Sequence, residues 1–251
     1  MLRTAYHSFS ILLVLLWTAC GSPRETAESP LLVAAASDLA KAGQPLAESF
    51  ERSSGWRITF SFGSSGQLAQ QIRQGAPFDI YAPAARSFCE ALEGDGFVIG
   101  SCRAYARGRL VAWSNSLELH SLDELKQPQI RQIAMANPET APYGLAAQQA
   151  LQAAALWDAV QSKIVRADSV VHAFQMAESG NVDVAFVALA LVNQAGRPFY
   201  VVDQALHEPI EQMAAVLLDS KNPEAAAGFV DFLFSPEARR ILEAYGFEFP
   251  E

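Results

Sequence analysis

The stretch "WRITFSFGSSGQLAQQIRQGAPFDIYAPA" (residues 56–84) decides the fold. "WRITFSF" alternates apolar and polar residues, the period of a strand with one buried face. "GSSG" (63–66) stops the alternation, and "QLAQQIRQG" takes up the spacing of an amphipathic helix. "FDIYAPA" (78–84) then returns to an apolar strand. Strand, serine turn, helix, strand is the repeating unit of a parallel α/β sheet. Taken alone, the serine turn is either a plain turn or a place where a ligand is held.

The same pattern extends in both directions. Upstream, "LLVAAA" (31–36) suits a buried parallel strand and runs into Ser37-Asp38, good helix N-cap residues, with a helical stretch to about Arg52. Gly43 and Pro45 interrupt that stretch, and proline is tolerated best in a first turn, so a kink or restart is expected there. Downstream, "RSFCEALEGDG" reads as a helix, and "RLVAWS" (109–114) opens a second series. That series runs "RQIAMAN" strand, "PYGLAAQQALQAAALW" helix, "KIVRA" strand, "SVVHAFQMAESG" helix and "VDVAFVAL" strand. "IEQMAAVLL" (210–218) is a further strand, and helices in 222–245 close the chain. The expected fold is α/β with two lobes of similar size. Residues 31–110 and 210–251 form lobe 1 and 111–209 form lobe 2, with a cleft where the strands' carboxyl ends meet.

The N-terminus stands apart. Arg3 precedes an apolar "ILLVLLWTA" (11–19), too short to span a bilayer, and Cys20 follows small residues, with Trp17 where a lipobox has leucine. Residues 1–19 read as a signal peptide and 20–30 as a flexible tether. Cys20 is then a lipidated first residue, or the leader is an ordinary cleaved one. Export permits a disulfide between Cys89 and Cys102, an even pair once Cys20 is set aside; two buried free thiols are the other reading. The formal charge of −9 becomes −10 when removal of residues 1–19 takes away Arg3 and no acid, which disfavours a nucleic-acid partner.

Four strand ends feed helix starts: Ser37-Asp38, Ser64-Ser65, Pro142-Tyr143 and Ser169-Val170. Each helix start offers unpaired N–H groups and partial positive charge, and none has a basic residue at its tip. That composition suits an oxyanion held by neutral donors rather than a phosphate-ester enzyme. "FGSSG" is not a nucleophile elbow, and no P-loop or H-E-x-x-H motif occurs. His120, His172 and His207 have no metal or triad spacing; His172 is expected at the surface or in packing, and Trp113, Trp157 and Phe229 in the core.

In the same stretches the chain resembles the molybdate-binding proteins of bacterial ABC importers, within the type II periplasmic binding proteins. The matches are "AAASDL" (34–39), "FGSSGQLAQQIRQGAPFDIYAPA" (62–84), "YARGRLVAWS" (105–114), "NPETAPYG" (137–144), "ADSV" (167–170), "VAFVAL" (184–189) and "FLFSPEARRILEAYGF" (232–247), in the family's order. The resemblance implies a monomeric extracytoplasmic receptor that closes on molybdate or tungstate and presents it to an ABC permease. It implies no cofactor, no side chain ligating a free metal cation, and membrane attachment only through an N-terminal lipid. Carried over by position, Ser37 and Ser64 supply hydroxyl and backbone donors, while Asp38, Tyr143 and Val170 supply backbone N–H groups. The Asp38 carboxylate is expected to turn back and cap its own helix, away from the anion. Ala188 stands where some family members have a tyrosine hydroxyl, so Ser65, Ser169 or the Tyr143 phenol is the candidate replacement donor. Other readings kept open are a receptor for sulfate, phosphate or an organic acid, an exported serine hydrolase built on Ser64 or Ser65, and a module that has lost its ligand.

Overall fold

The computed structural model describes residues 29–249, so Cys20, the leader and most of the tether lie outside the described residues. β1 (Leu31–Ala36) is almost wholly buried and ends in a 3-10 turn, Ser37–Ala40. The chain restarts as α1 (Gly43–Ser54), with Pro45 in its first turn, where a missing N–H leaves no helical bond unmade. The interruption expected from Gly43 and Pro45 is therefore a break between two helical pieces.

β2 (Ile58–Gly63) pairs in parallel with β1, and α2 (Ser65–Arg73) follows directly from Ser64. β3 (Ile80–Ala82) pairs in parallel with the other side of β1, and α3 (Arg86–Gly94) follows it. β4 (Val98–Gly108) was not expected from the sequence: "VIGSCRAYARG" is rich in Gly, Ser and Arg and alternates poorly. Long antiparallel pairing with a later strand makes it one.

Past Arg109 the chain enters the second sheet. β5 (Leu110–Trp113), β6 (Ile133–Ala136), α4 (Pro142–Ala153), α5 (Trp157–Val160) and β7 (Ile164–Ala167) come first. α6 (Val170–Glu178), β8 (Val184–Ala188), α7 (Leu189–Val192) and the unexpected short β9 (Phe199–Val201) complete the lobe. The single long helix expected over 142–157 is divided, because Ala155 takes a left-handed backbone (φ 55°) that no helix continues through. The chain returns as β10 (Ile210–Leu217), and α8 (Pro223–Phe232) and α9 (Pro236–Ala244) close the first lobe.

The two sheets have the orders β2-β1-β3-β10-β4 and β7-β6-β8-β5-β9. β10 runs antiparallel to both β3 and β4, and β5 antiparallel to both β8 and β9, so each sheet is mixed. Phe50 on α1 packs edge-on to Phe229 on α8 (centroids 5.2 Å apart) over one face of the first sheet. On its other face, Leu68 and Ile72 of α2 and Leu92 of α3 pack around Tyr81, and a disulfide joins Cys89 on α3 to Cys102 on β4. Trp113 and Phe186 sit in the core of the second lobe, where Ala36, Ala84 and Ile210 from the first also pack. The lobes thus meet at the strand ends, and that is where the chemistry collects.

Candidate functional site

The carboxyl ends of β1, β2, β6 and β7 converge on one cavity between the lobes. Ser37 and Asp38 follow β1, Ser64 and Ser65 follow β2, Tyr143 lies at the start of α4 and Val170 at the start of α6; all six line it. Each is buried, at 4 % exposure or less. The space is small, about 10 Å³ for the centre of a water-sized sphere, and no Lys, Arg or His lines it. Ala36, Gly63, Ala84, Ala141 and Pro142 complete the walls, so the side chains present are short and the backbone comes close.

Ser64 carries the clearest signal. It occupies the N-cap position of α2 with an extended backbone (φ −75°, ψ 146°), where a serine Oγ usually accepts an N–H of the first turn. Here it caps nothing, and its Oγ is buried without a partner. Leaving a buried hydroxyl unpaired costs about 1–3 kcal/mol, and buried polar groups ordinarily have a partner, so an idle one facing a cavity points to a bound group there. Its neighbour is placed differently. Ser65 Oγ accepts the Ala84 N–H at 3.1 Å, which leaves the hydroxyl proton free to donate, and Tyr81 OH donates to the Ser65 carbonyl at 2.7 Å, pinning the turn.

Ser169 is not among the lining residues. Its Oγ accepts the His172 N–H at 3.2 Å and caps α6, while Val170 at the first helical position reaches the cavity. His172 stands half-exposed beside Asp168 and away from the cavity. Trp113 and Phe229 are buried in the two cores.

Asp38 departs in part from expectation. Its closest hydrogen bond is tertiary: Gln212 Nε2, from the middle of β10, donates to Oδ2 at 2.7 Å. Burial raises its pKa from 3.8 to about 7, offset in part by the neighbouring Tyr143 hydroxyl, by Gln212, and by the backbone N–H groups of Asp38 and Leu39. The carboxyl therefore does lean on its own turn, but a strand of the same lobe holds it. Burial, with the Asp38 charge second, pushes the Tyr143 and Tyr105 phenols well above their ordinary range. Asp38 Oδ1, Gln212 Oε1 and the Tyr143 and Tyr105 hydroxyls all lie buried without a hydrogen-bond partner.

Gly108 makes room for this arrangement. A Cβ there would lie 2.0 Å from the Tyr143 hydroxyl, closer than atoms can approach, and 3.1 Å from Gln212 Nε2, a tight contact. Sequence reasoning missed Gln212, Tyr105 and Gly108. A readable signal existed for one of them: Gln212 is a lone amide inside the apolar run "IEQMAAVLL" and is fully buried.

Two contacts hold the lobes together at the cavity's rim. Gly66 N–H donates to Thr140 O at 2.8 Å, and the Lys41 ammonium lies 5.0 Å from the centroid of the Phe174 ring. Among the described residues there is no group of His, Cys, Asp and Glu that could hold a metal ion, and no helix long and apolar enough to cross a membrane.

Two mixed sheets flanked by helices, joined by two crossings and enclosing a donor-lined cavity, define a two-lobed solute-binding protein. The chain belongs to the bacterial extracellular solute-binding protein family, which it matches over residues 31–248. It is 37% identical over 224 residues to the molybdate-binding protein ModA of Azotobacter vinelandii, covering 86% of this chain and 88% of that one. It is 32% identical over 224 residues to the molybdate-binding protein ModA of Rhodobacter capsulatus, covering 88% and 89%. The solved structure of the Azotobacter vinelandii periplasmic molybdate-binding protein superposes with a TM-score of 0.84 at 34% identity, over 88% of this chain and all of that one. These relatives are binding proteins, and the chain is accordingly one too rather than an enzyme.

Proposed function

We propose that this protein is the extracytoplasmic receptor of an ABC importer, that it binds molybdate and, with it, tungstate, and that it hands the anion to a membrane permease. The observation that carries this reading is the Ser64 hydroxyl, buried and unpartnered at the N-terminus of α2, facing a cavity that no cation lines. A dianion there meets short hydroxyls and backbone N–H groups at the starts of α2, α4 and α6, together with their helix dipoles. Ser37, Ser64 and Ser65 are its side-chain donors; Asp38, Tyr143 and Val170 contribute through their backbone.

Selection follows from size. Sulfate and phosphate are smaller tetrahedra than molybdate and tungstate, and a cavity fitted to the larger anions holds them less well. The names of the relatives direct the choice toward molybdate. We assign lobe 1 to residues 31–110 and 210–251 and lobe 2 to 111–209, and read Cys20 as the lipid attachment point that keeps the receptor at the membrane surface.

Thermal unfolding with each of molybdate, tungstate, sulfate and phosphate tests the reading. Micromolar molybdate and tungstate should raise Tm by mass action while sulfate and phosphate leave it unchanged. A protein whose Tm responds to none of the four is not this receptor, and one that responds to sulfate or phosphate alone is a receptor for a different anion.

A further inference from the structure

The buried carboxyl beside the cavity raises a problem of charge. Asp38 lines the space that would take the anion, is fully buried, and has no Lys, Arg or His among the groups that touch it. The groups facing it are Gln212 from β10, Tyr143 from α4, Tyr105 from β4 and the backbone of its own turn. All are neutral, and both phenols stay protonated at any pH the protein meets. A carboxylate and a dianion side by side would then be three negative charges in a dry site with no cation. Water screens such repulsion weakly there.

We propose that the cavity takes its oxyanion together with one proton, which is held on Asp38. The balance is simple: the ionised carboxyl and the dianion bind one proton from solvent, giving a neutral carboxylic acid next to the dianion. The inference rests on the anion-receptor reading above and adds to it the stoichiometry of binding.

The hydrogen-bonding pattern supports it independently of charge. Asp38 Oδ2 already accepts from the Gln212 amide at 2.7 Å, while Asp38 Oδ1 and Gln212 Oε1, both acceptors, are buried without a donor. The Tyr143 hydroxyl and the backbone N–H groups of Asp38 and Leu39 face the carboxyl and offset its burial only in part, and the Tyr105 hydroxyl has no hydrogen-bond partner. One proton on Asp38 turns an unpaired acceptor into a donor, able to serve an anion oxygen or the Gln212 carbonyl. The carboxyl, at about 7 through burial before any anion arrives, is already poised for this, and a neighbouring dianion moves it further up.

Isothermal titration of the full chain with molybdate, in buffers of different ionisation enthalpy, reads the proton directly. Molybdate and tungstate remain dianions across the range used, so any proton taken up belongs to the protein. Uptake should be close to one proton per anion near pH 8 and fall toward zero near pH 6. Kd should weaken about tenfold per pH unit above about 7 and level off below it. Asp38→Asn should bind with no proton uptake and a flat pH profile. Wild-type protein that binds molybdate with the same Kd at pH 6 and pH 8.5 and no net proton uptake overturns the proposal, whatever the variant does. Wild-type protein that binds no oxyanion at any pH overturns instead the receptor reading beneath it.

Discussion

The backbone N–H of Gly66 donates to the carbonyl oxygen of Thr140 at 2.8 Å, joining the first turn of α2 in one lobe to the loop before α4 in the other. The same glycine permits the approach: a Cβ on residue 66 would lie 3.0 Å from Thr140 Cα and 3.0 Å from Phe88 Cε1. Backbone on one side and a packed ring on the other leave little freedom to yield. Closure over the cavity is thus tied to a position with no side chain.

Gly66→Ala should therefore keep the lobes from closing fully without harming either core. Molybdate affinity should weaken roughly tenfold, mostly through faster release, which calorimetry and stopped-flow dissociation would measure. The Tm of the unliganded protein should change little. A large loss of Tm with unchanged affinity would mean that the contact stabilises the fold rather than the closed state.

Ser64→Ala removes a hydroxyl that no group in the protein uses. Its loss should weaken anion binding by about 1.5–3 kcal/mol, the range for a charge-assisted hydrogen bond, and leave the unliganded protein as stable as before or slightly more so. Ser169→Ala should do the reverse. It deletes a working helix cap, so stability should fall by about 1 kcal/mol with affinity nearly unchanged. Paired melts and titrations on the two variants separate a ligand donor from a cap.

Gly108→Ala should be severe. The new methyl would meet the buried Tyr143 hydroxyl, and either Tyr143 or β4 must move. A loss of about 2 kcal/mol or more is expected in denaturant titration. Tyr143→Phe, which takes away the unpartnered hydroxyl, should restore part of that loss when combined with it. Absence of any rescue would place the clash elsewhere.

Asp38 makes the unliganded protein less stable as pH rises. Its carboxyl ionises near 3.8 when the chain is unfolded and near 7 when folded, so the folded state binds the extra proton between those values. The contribution is neutral below about pH 4, where both states are protonated. It becomes unfavourable through the window and is fully unfavourable above about pH 7, by at most about 4 kcal/mol. Asp38→Asn should gain stability over wild type progressively from pH 4 to pH 8, and the Gln212 amide can turn to pair with the new side chain. A difference in Tm that stays constant across that range would show the carboxyl to be ionised throughout.

Much of the architecture was legible because it depends on local pattern. "LLVAAA", "WRITFSF" and "FDIYAPA" have the periodicity of their strands, and the residues after them take helix starts wherever the strands end. Ser37-Asp38, Ser64-Ser65, Pro142-Tyr143 and Ser169-Val170 were readable as helix starts after strand ends, and the family resemblance singled out Ser37, Asp38, Ser64, Tyr143 and Val170 among them. β4 and β9 were not readable, since pairing across the sheet, and not their composition, makes them strands. Neither was the difference between Ser64 and Ser169. Both stand at a helix N-cap, and only the packing around them leaves one hydroxyl buried and idle while the other caps its helix.

The sequence by itself determined the α/β class, the order of the elements and the set of helix starts, because hydrophobic period and capping chemistry act over a few residues. Only the tertiary structure decided which of those starts share a cavity, that Gln212 from 174 residues away holds the Asp38 carboxyl, and that Gly108 yields its side-chain space to Tyr143. Those relationships depend on distance in space. They set the electrostatics of the site because burial, which no single segment encodes, raises the proton affinity of Asp38.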